Sequence, residues 1–170
     1  MDLNYRNVQN LCARVDCAVE RPTIDLSEAA WFEPYAVMYI GMFLRHHNRL
    51  GKFFVVNHPT STAAKDYLDR QNFWRRFNFT SDPDDESILR LHPETSFNDI
   101  VDLQSTEYQA EQVGDQMRLL LSRNRVAVAI DEVTIAVTEL VQNFVEHADE
   151  GLAAMMTQYY PEPVPSAVDS

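Results

Sequence analysis

The segment that decides the fold spans residues 22–77 and reads PTIDLSEAAWFEPYAVMYIGMFLRHHNRLGKFFVVNHPTSTAAKDYLDRQNFWRRF. Near its start, IDLS at residues 24–27 alternates apolar and polar side chains, which is the period of a half-buried strand. FFVVN at residues 53–57 is a continuous apolar run that includes two β-branched valines, which predicts a strand covered on both faces. Helical patterns begin near Pro34 and Thr62. The order strand, helix, strand, helix predicts an α/β fold in which the two strands are neighbours in a parallel or mixed sheet.

The helices of this segment have recognisable ends. A helix that begins at Pro34 and closes at Gly51 has the expected proline at its start and glycine at its end. The second helix is predicted from Thr62 to Phe73, after a cap formed by residues 59–61. Its inward-facing residues are predicted to be Ala63, Tyr67, Leu68 and Phe73. Upstream, apolar residues at helical spacing from Val8 to Val19 predict a leading helix within residues 1–20, from about Asn4 to Glu20.

Residues 21–79 resemble a STAS domain, the module of anti-sigma factor antagonists, in the order of elements, the acidic strand IDLS and the segment NHPTSTAAKDYLDRQNF. The resemblance implies a STAS-like mixed sheet with helices, and a protein partner that is a kinase or a sigma-factor regulator. Regulated members carry a serine, phosphorylated by the partner kinase, in a turn where this chain has Glu33, Pro34, Tyr35 and Ala36. The phosphorylation switch is therefore not implied, and a generic small α/β domain remains the alternative.

The second half of the chain follows a polar, acidic stretch at residues 80–96, which is predicted to be a linker. A short strand is predicted near residues 97–104, and a helix from Thr106 onwards. Gly114 should weaken that helix by ~1 kcal/mol relative to alanine. The side chains predicted to share its apolar face are Tyr108, Val113, Met117, Leu120 and Leu121.

The candidate catalytic and metal-binding residues lie on the next predicted helix, which has the sequence DEVTIAVTELVQNFVEHA at residues 131–148. Its predicted apolar face consists of Val133, Val137, Leu140, Val141 and Phe144. At ~100° per residue, Glu139, Asn143 and His147 share a different face. A glutamate can orient and deprotonate a water, and a carboxamide oxygen one turn away is a hard neutral ligand suited to Mg²⁺. A surface helix with a polar stripe is the simpler alternative.

ELVQN, with the following EHA, resembles the N box of the GHKL ATP-binding family, in particular the anti-sigma factor kinases. The resemblance implies that residues 97–170 are the N-terminal part of an α+β GHKL-like half-domain. It also implies that Glu139 is the candidate general base and that Asn143 binds the magnesium that bridges the nucleotide phosphates. His147 falls where many members carry histidine. SAVDS at the end of the chain resembles the strand that leads to the adenine-reading aspartate, here Asp169, and an acidic disordered tail is the alternative.

The nucleotide site is incomplete in this sequence, because the family covers the phosphates with glycine-rich loops whose backbone must approach the ligand closely. The chain has four glycines, and no two of them are close together: Gly41, Gly51, Gly114 and Gly151. We interpret the chain either as a fragment of a longer ATPase or as a natural truncation before those loops. Mg-ATP is therefore expected to bind weakly or not at all.

Composition limits the partners and the compartment. The formal net charge of −12 argues against nucleic acid, because no basic stripe is available to neutralise phosphates. Cys12 and Cys17 lie five residues apart in a predicted helix, where their side chains diverge, so both are expected to be free thiols. No apolar run reaches the ~18 residues of a membrane span and no cleavable signal peptide is recognised. These features favour a reducing cytoplasm and no membrane.

Two functions from different classes follow from the resemblances. The first is a cytoplasmic regulatory protein of the partner-switching type, with a STAS-like interaction module joined to an incomplete GHKL module. Its candidate contact residues are Trp31, Phe32, Tyr35 and Tyr39, of which at least two are expected in the core. The alternative is an ATP-dependent kinase or ATPase whose site is completed by residues missing from this chain.

A third hypothesis is a metal enzyme or hydrolase built on histidines. It lacks the His-x-x-x-His and Cys-x-x-Cys spacings that such sites use. Its candidate residues would be His46, His47, His58 and His92. The sequence leaves both a monomer and a homodimer open.

Overall fold

The structure is a computed structural model that describes residues 1–77, 101–103, 107–124, 129–147 and 153–158. The strands in these ranges are β1 (Asp2–Leu3), β2 (Thr23–Asp25), β3 (Trp31–Phe32), β4 (Val55–Asn57), β5 (Val101–Leu103) and β6 (Ala153–Met155). The helices are α1 (Val8–Ala13), α2 (Pro34–Arg49), α3 (Thr62–Arg70), α4 (Phe73–Arg76), α5 (Glu107–Arg123) and α6 (Ile130–His147). The chain is thus of mixed helix and strand composition, as the α/β class requires. The predicted linker at residues 80–96 lies outside the described residues.

The strands form three two-stranded sheets in the described part of the chain. β2 and β4 are parallel, with Thr23 opposite Val55 and Asp25 opposite Asn57. This pairing confirms the prediction that IDLS and FFVVN are neighbours joined by a helix. β1 and β3 form a second parallel pair. β5 and β6 are antiparallel and flank the two helices α5 and α6.

The predicted leading helix is wrong in its extent, because the structure places strand β1 before it and ends the helix at Ala13. Two carbonyls in the last turn of α1 accept hydrogen bonds from the residues that follow the helix. The amide of Arg14 donates to the carbonyl of Leu11, and the amide of Val15 donates to that of Cys12. The N-terminal residues instead extend the sheet structure, since Leu3 pairs with Phe32 and both side chains are fully buried. Residues 1–13 therefore contribute to the same core as the segment that follows.

α2 has the ends that the sequence predicts. Pro34 occupies its first turn, where a missing N–H costs nothing. At the other end Gly51 has φ +76°, and its amide donates to Asn48 while that of Lys52 donates to His47. These two bonds form a Schellman motif, which satisfies carbonyls that the helix leaves open.

β4 differs from its prediction, because it is covered on one face only. Phe54 and Val56 pack against the core, whereas Phe53 is 70% exposed and Val55 is 38% exposed. The exposure of Phe53 and Val55 leaves the second face of this segment partly open to solvent. The strand prediction for FFVVN is also wrong in its extent, because β4 begins at Val55 and both Phe53 and Phe54 precede it.

The helix predicted from Thr62 to Phe73 is broken into α3 and α4. It starts as predicted, with the Ser61 hydroxyl accepting a bond from the Ala64 amide. It breaks at Asn72, which adopts the left-handed conformation with φ 56°. Asparagine tolerates this conformation better than most residues. The inward-facing alanine is Ala64 rather than the predicted Ala63, which is exposed.

Two hydrophobic clusters stabilise the described chain. The first unites strands β1 to β3 with helices α1 to α4, and its largest fully buried apolar side chains include Phe32, Tyr67, Phe73 and Phe77. The second is small and lies between α5 and α6. β6 and the residue after it touch both: Ala154 and Met156 pack on the first cluster, and Met155 packs on the second. Among the described helices, none is long and apolar enough to cross a lipid bilayer.

Candidate functional site

α6 presents one face to α5. Val141 on this face is buried with Ala110 and Val113 of α5. Thr138 also lies on it, directly opposite Gly114, and a Cβ at Gly114 would overlap the Thr138 hydroxyl. That hydroxyl is satisfied within its own helix, because it donates to the carbonyl of Thr134 at 2.9 Å. Gly114, predicted only as a weak point of α5, therefore permits the two helices to approach closely.

Glu139 and Asn143 lie on the outer side of α6 and both are exposed. Four residues of helix separate them by about 6 Å along the axis, so their side chains can act on one ligand. Leu140 beside them is 67% exposed and Ile135 is 56% exposed. The assignment of Leu140 to the apolar face is therefore wrong. The side of α6 that packs on α5 carries Val137, Thr138 and Val141, whereas Leu140 lies ~100° from Val141, towards solvent.

The chemistry open to this pair is limited by its exposure. A carboxylate in bulk water is not placed to exclude solvent from a reacting phosphate, and a single carboxamide supplies one of the roughly six oxygens that Mg²⁺ needs. Within the described residues, no group of three or more His, Cys, Asp or Glu side chains could hold a metal ion. The nearby ion pair of Arg118 and Asp131, 2.6 Å long, is largely exposed and contributes little stability.

The structure brings together only part of the predicted nucleotide site. Glu139 and Asn143 share one side of α6, as predicted. His147 is the last residue of that helix, but its side chain is outside what the structure describes. Asp169 also lies outside the described residues. The strand, helix, helix order of β5, α5 and α6 agrees with the predicted order of elements, and the structure adds strand β6 after α6.

The second candidate region is the junction of β3 and α2. Among the predicted contact residues, Phe32 is fully buried and therefore belongs to the core. Trp31 is 39% exposed and Tyr35 is 47% exposed, while Tyr39 is half-buried. We call Trp31, Tyr35 and Tyr39 the aromatic surface. Its rings are held by other rings: Trp31 lies 5.1 Å from Tyr67, and Tyr35 lies 6.0 Å from Tyr39, between ring centroids.

The histidines do not form the site of the third hypothesis in the described residues. The rings of His46 and His47 are in contact, with centroids 5.2 Å apart. His58 packs on Trp74, and His92 lies outside the described residues. His47 has one contact that no sequence signal predicts, with the sulfur of Cys17, thirty residues earlier in the chain.

Comparison with known proteins gives no match: no protein-family model, no curated protein and no solved structure shows significant similarity to this chain. The resemblances to STAS and GHKL domains therefore stay predictions that depend on short motifs. The positions of the aromatic surface and of Glu139 and Asn143 are the observations from which a function can be proposed.

Proposed function

We propose that this chain is a regulatory protein of the partner-switching type, which acts by binding another protein through the aromatic surface. In this proposal residues 21–79 serve as a STAS-like interaction module and residues 97–170 as an incomplete GHKL-like ATP-binding module. The protein works in the cytoplasm, and its partner is a kinase or a sigma-factor regulator. The observation that carries the proposal is the exposure of Trp31 and Tyr35 beside the start of α2.

Exposed tryptophan and tyrosine favour a binding role for physical reasons. They offer a large apolar area with few rotatable bonds, and they are enriched among the residues that dominate interface energies. Here Trp31 is fixed by the β1–β3 pairing and by the Tyr67 ring, and Tyr35 by the Tyr39 ring. Little side-chain entropy would therefore be lost when a partner covers them.

The position and charge of the surface add to the proposal. Tyr35 lies within residues 33–36, where the STAS resemblance places the turn that faces a partner. Because the chain carries a net charge of −12, electrostatic attraction favours a partner with a basic surface. Binding should accordingly be faster at low ionic strength.

A second candidate function is an ATP-dependent kinase or ATPase whose site is completed by residues outside this chain. The observation that favours it is the placement of Glu139 and Asn143 on one exposed side of α6. An open carboxylate and carboxamide are accessible to a ligand brought by another polypeptide segment. The two functions differ in whether this chain alone has affinity for Mg-ATP.

The first prediction concerns the partner. A partner isolated by co-purification with the tagged full chain is expected to bind the purified chain directly in calorimetric titration. Trp31→Ala and Tyr35→Ala should each weaken that binding by about fivefold or more, since loss of an aromatic anchor costs above ~1 kcal/mol. The matched control is Phe53→Ala, because Phe53 is 70% exposed but lies just before β4, outside the aromatic surface. It should change the affinity by less than about twofold.

Thermal melts separate lost binding from lost folding. Of the two substitutions, Tyr35→Ala has the lower risk of unfolding the protein, because the side chain of Tyr35 is more exposed than that of Trp31. Unchanged affinity in a folded Trp31→Ala/Tyr35→Ala double variant would refute the proposed surface. So would an equal loss of affinity in Phe53→Ala.

The second prediction concerns nucleotide. Calorimetric titration of the full chain with ATP and Mg²⁺ should give weak binding or none, because Asn143 alone supplies a single neutral oxygen to the metal. Asn143→Ala should leave the free energy of unfolding within ~0.5 kcal/mol, since Asn143 is exposed and off the packed face of α6. Sub-millimolar affinity that is lost in Asn143→Ala would favour the ATPase function over the interaction function.

A further inference from the structure

The Sγ of Cys17 lies 3.7 Å from Nε2 of His47, within hydrogen-bond reach for sulfur. His47 belongs to the last turn of α2, and its ring is held edge-on by Phe43 at 4.6 Å and by Phe54 at 5.8 Å between centroids. Cys17 is half-buried, so small molecules can reach its sulfur. A thiol in contact with an oriented imidazole is the arrangement that activates nucleophilic cysteines.

The loop that carries Cys17 is attached to the C-terminal end of α2. Because α1 ends at Ala13, Cys17 lies in the loop of residues 14–22 and not in the helix that the sequence predicts. Lys52 donates from Nζ to the carbonyl of Val19 at 3.1 Å, which fixes the loop against the C-terminal end of α2. The Cys17–His47 contact is therefore a second point of attachment of the same loop.

The two cysteines differ in their environments. Cys12 is 3% exposed, and burial, together with the charge of Cys17, raises the pKa of its thiol to about 12. Its sulfur is therefore a poor nucleophile at neutral pH. Burial, with the nearby charges of His46 and Lys52, lowers the pKa of His47, which favours the neutral form of the ring that can accept a proton.

We propose that Cys17 is a thiol-modification site at which small hydroperoxides oxidise the sulfur, with His47 as the general base. The thiol proton passes to Nε2 of His47, and the thiolate attacks the terminal peroxide oxygen. The O–O bond breaks, and the leaving hydroxide or alkoxide takes the proton from the imidazolium. The sulfur becomes a sulfenic acid and loses two electrons, which reduce hydrogen peroxide to one water or an alkyl hydroperoxide to one alcohol. This site goes beyond the proposed function and does not depend on it.

The test uses the full chain, hydrogen peroxide and a cyclic 1,3-diketone that traps sulfenic acids, with mass spectrometry to assign the adduct. Cys12 in the same molecule is the internal control. Cys17 is expected to form the adduct at least about tenfold faster than Cys12. His47→Gln should lower the rate at Cys17 by about a hundredfold, the low end of general-base effects. His47→Phe, which keeps an aromatic ring against Phe43 and Phe54, should show the same fall.

An unchanged rate at Cys17 in both folded His47 variants would overturn the role of the base. If circular dichroism shows that both variants are unfolded, alkylation of the wild-type chain by iodoacetamide decides the site. Preferential alkylation of Cys17 over Cys12 supports it, and equal rates overturn it. Cys17→Ser, which removes the sulfur, should abolish the fast phase in both assays, while Cys12→Ser should keep it.

Discussion

Replacing Gly41 with alanine is expected to lower the free energy of unfolding by about 2 kcal/mol or more, the largest loss that we predict for a single methyl group in this chain. A Cβ at Gly41 would overlap the ring of Phe77, and even the more distant ring atom Cδ2 would lie at 2.6 Å. Carbon atoms pack best at about 3.5–4.0 Å, so the ring would have to move by about 1 Å. The helical preference of alanine over glycine returns only ~1 kcal/mol.

Phe77 has little room to move. It is 1% exposed, its ring lies 5.1 Å from that of Phe73, and the Arg45 guanidinium sits 4.6 Å from its centroid. Arg45 also donates to the carbonyl of Arg76 at 2.9 Å, which fixes the backbone beside the ring. The strain of an added methyl group must therefore be borne by several contacts together.

Chemical denaturation of a double-mutant cycle checks this expectation. Phe77→Leu should reduce the cost of Gly41→Ala, with a coupling energy above ~1 kcal/mol. The matched control is Gly51→Ala, because no atom lies within 4 Å of a Cβ at Gly51 and its cost comes from φ +76° alone. That cost should be ~1 kcal/mol and independent of residue 77. Additive effects of Gly41→Ala and Phe77→Leu would contradict the steric explanation.

Replacing Gln71 with methionine is expected to raise the free energy of unfolding by about 1–2 kcal/mol. Gln71 is fully buried at the C-terminal end of α3, and neither amide atom of its side chain has a hydrogen-bond partner in the described chain. A buried polar group without a partner costs ~1–3 kcal/mol of desolvation. Methionine has a similar length and no amide to desolvate, so most of that cost should be recovered.

The same substitution at Gln158 is the matched control, with the opposite sign. Gln158 is half-buried, and its Oε1 accepts a bond from the Tyr67 hydroxyl at 2.8 Å. Gln158→Met removes that acceptor and should lower the stability by about 1 kcal/mol. Thermal and urea unfolding of both variants measure whether each substitution raises or lowers the free energy of unfolding. A loss of stability in Gln71→Met would show that the buried amide is satisfied in solution.

The sequence predicts those elements whose signals are local. α2 is correct at both ends because proline at its start and glycine at its end act through neighbouring backbone atoms. The adjacency of β2 and β4 is correct because a helix connects them directly. The strand and two helices of the second half also follow the predicted order, since each has a clear apolar period.

The parts that the sequence does not predict depend on contacts between distant residues. β1 and β3 have two residues each, too few for any period to be visible, and they form only because they pair with one another. Beyond the break at Asn72, Phe73 and Phe77 are both buried in the first hydrophobic cluster. The Cys17–His47 contact joins residues thirty apart without a shared motif.

For the candidate site, spacing alone was sufficient to place Glu139 and Asn143 on one side of α6. It was not sufficient to place Leu140, because the width of the buried stripe depends on how closely α5 approaches. That distance is set by Gly114, whose packing role no single-helix pattern reveals. The exposure of Trp31 and the burial of Phe32 follow from the β1–β3 pairing, which was likewise not predicted.

The alternation along residues 154–156 restricts how the length of the chain can vary. Successive side chains there pack on different hydrophobic clusters. Ala154 and Met156 pack on the first cluster, and Met155 packs on the second. A one-residue insertion or deletion upstream in β6 would shift the register and exchange these assignments. Met155 would then meet the larger cluster, and the Tyr67–Gln158 bond would lose its acceptor. Natural variants of this chain should therefore rarely differ in length within this short strand.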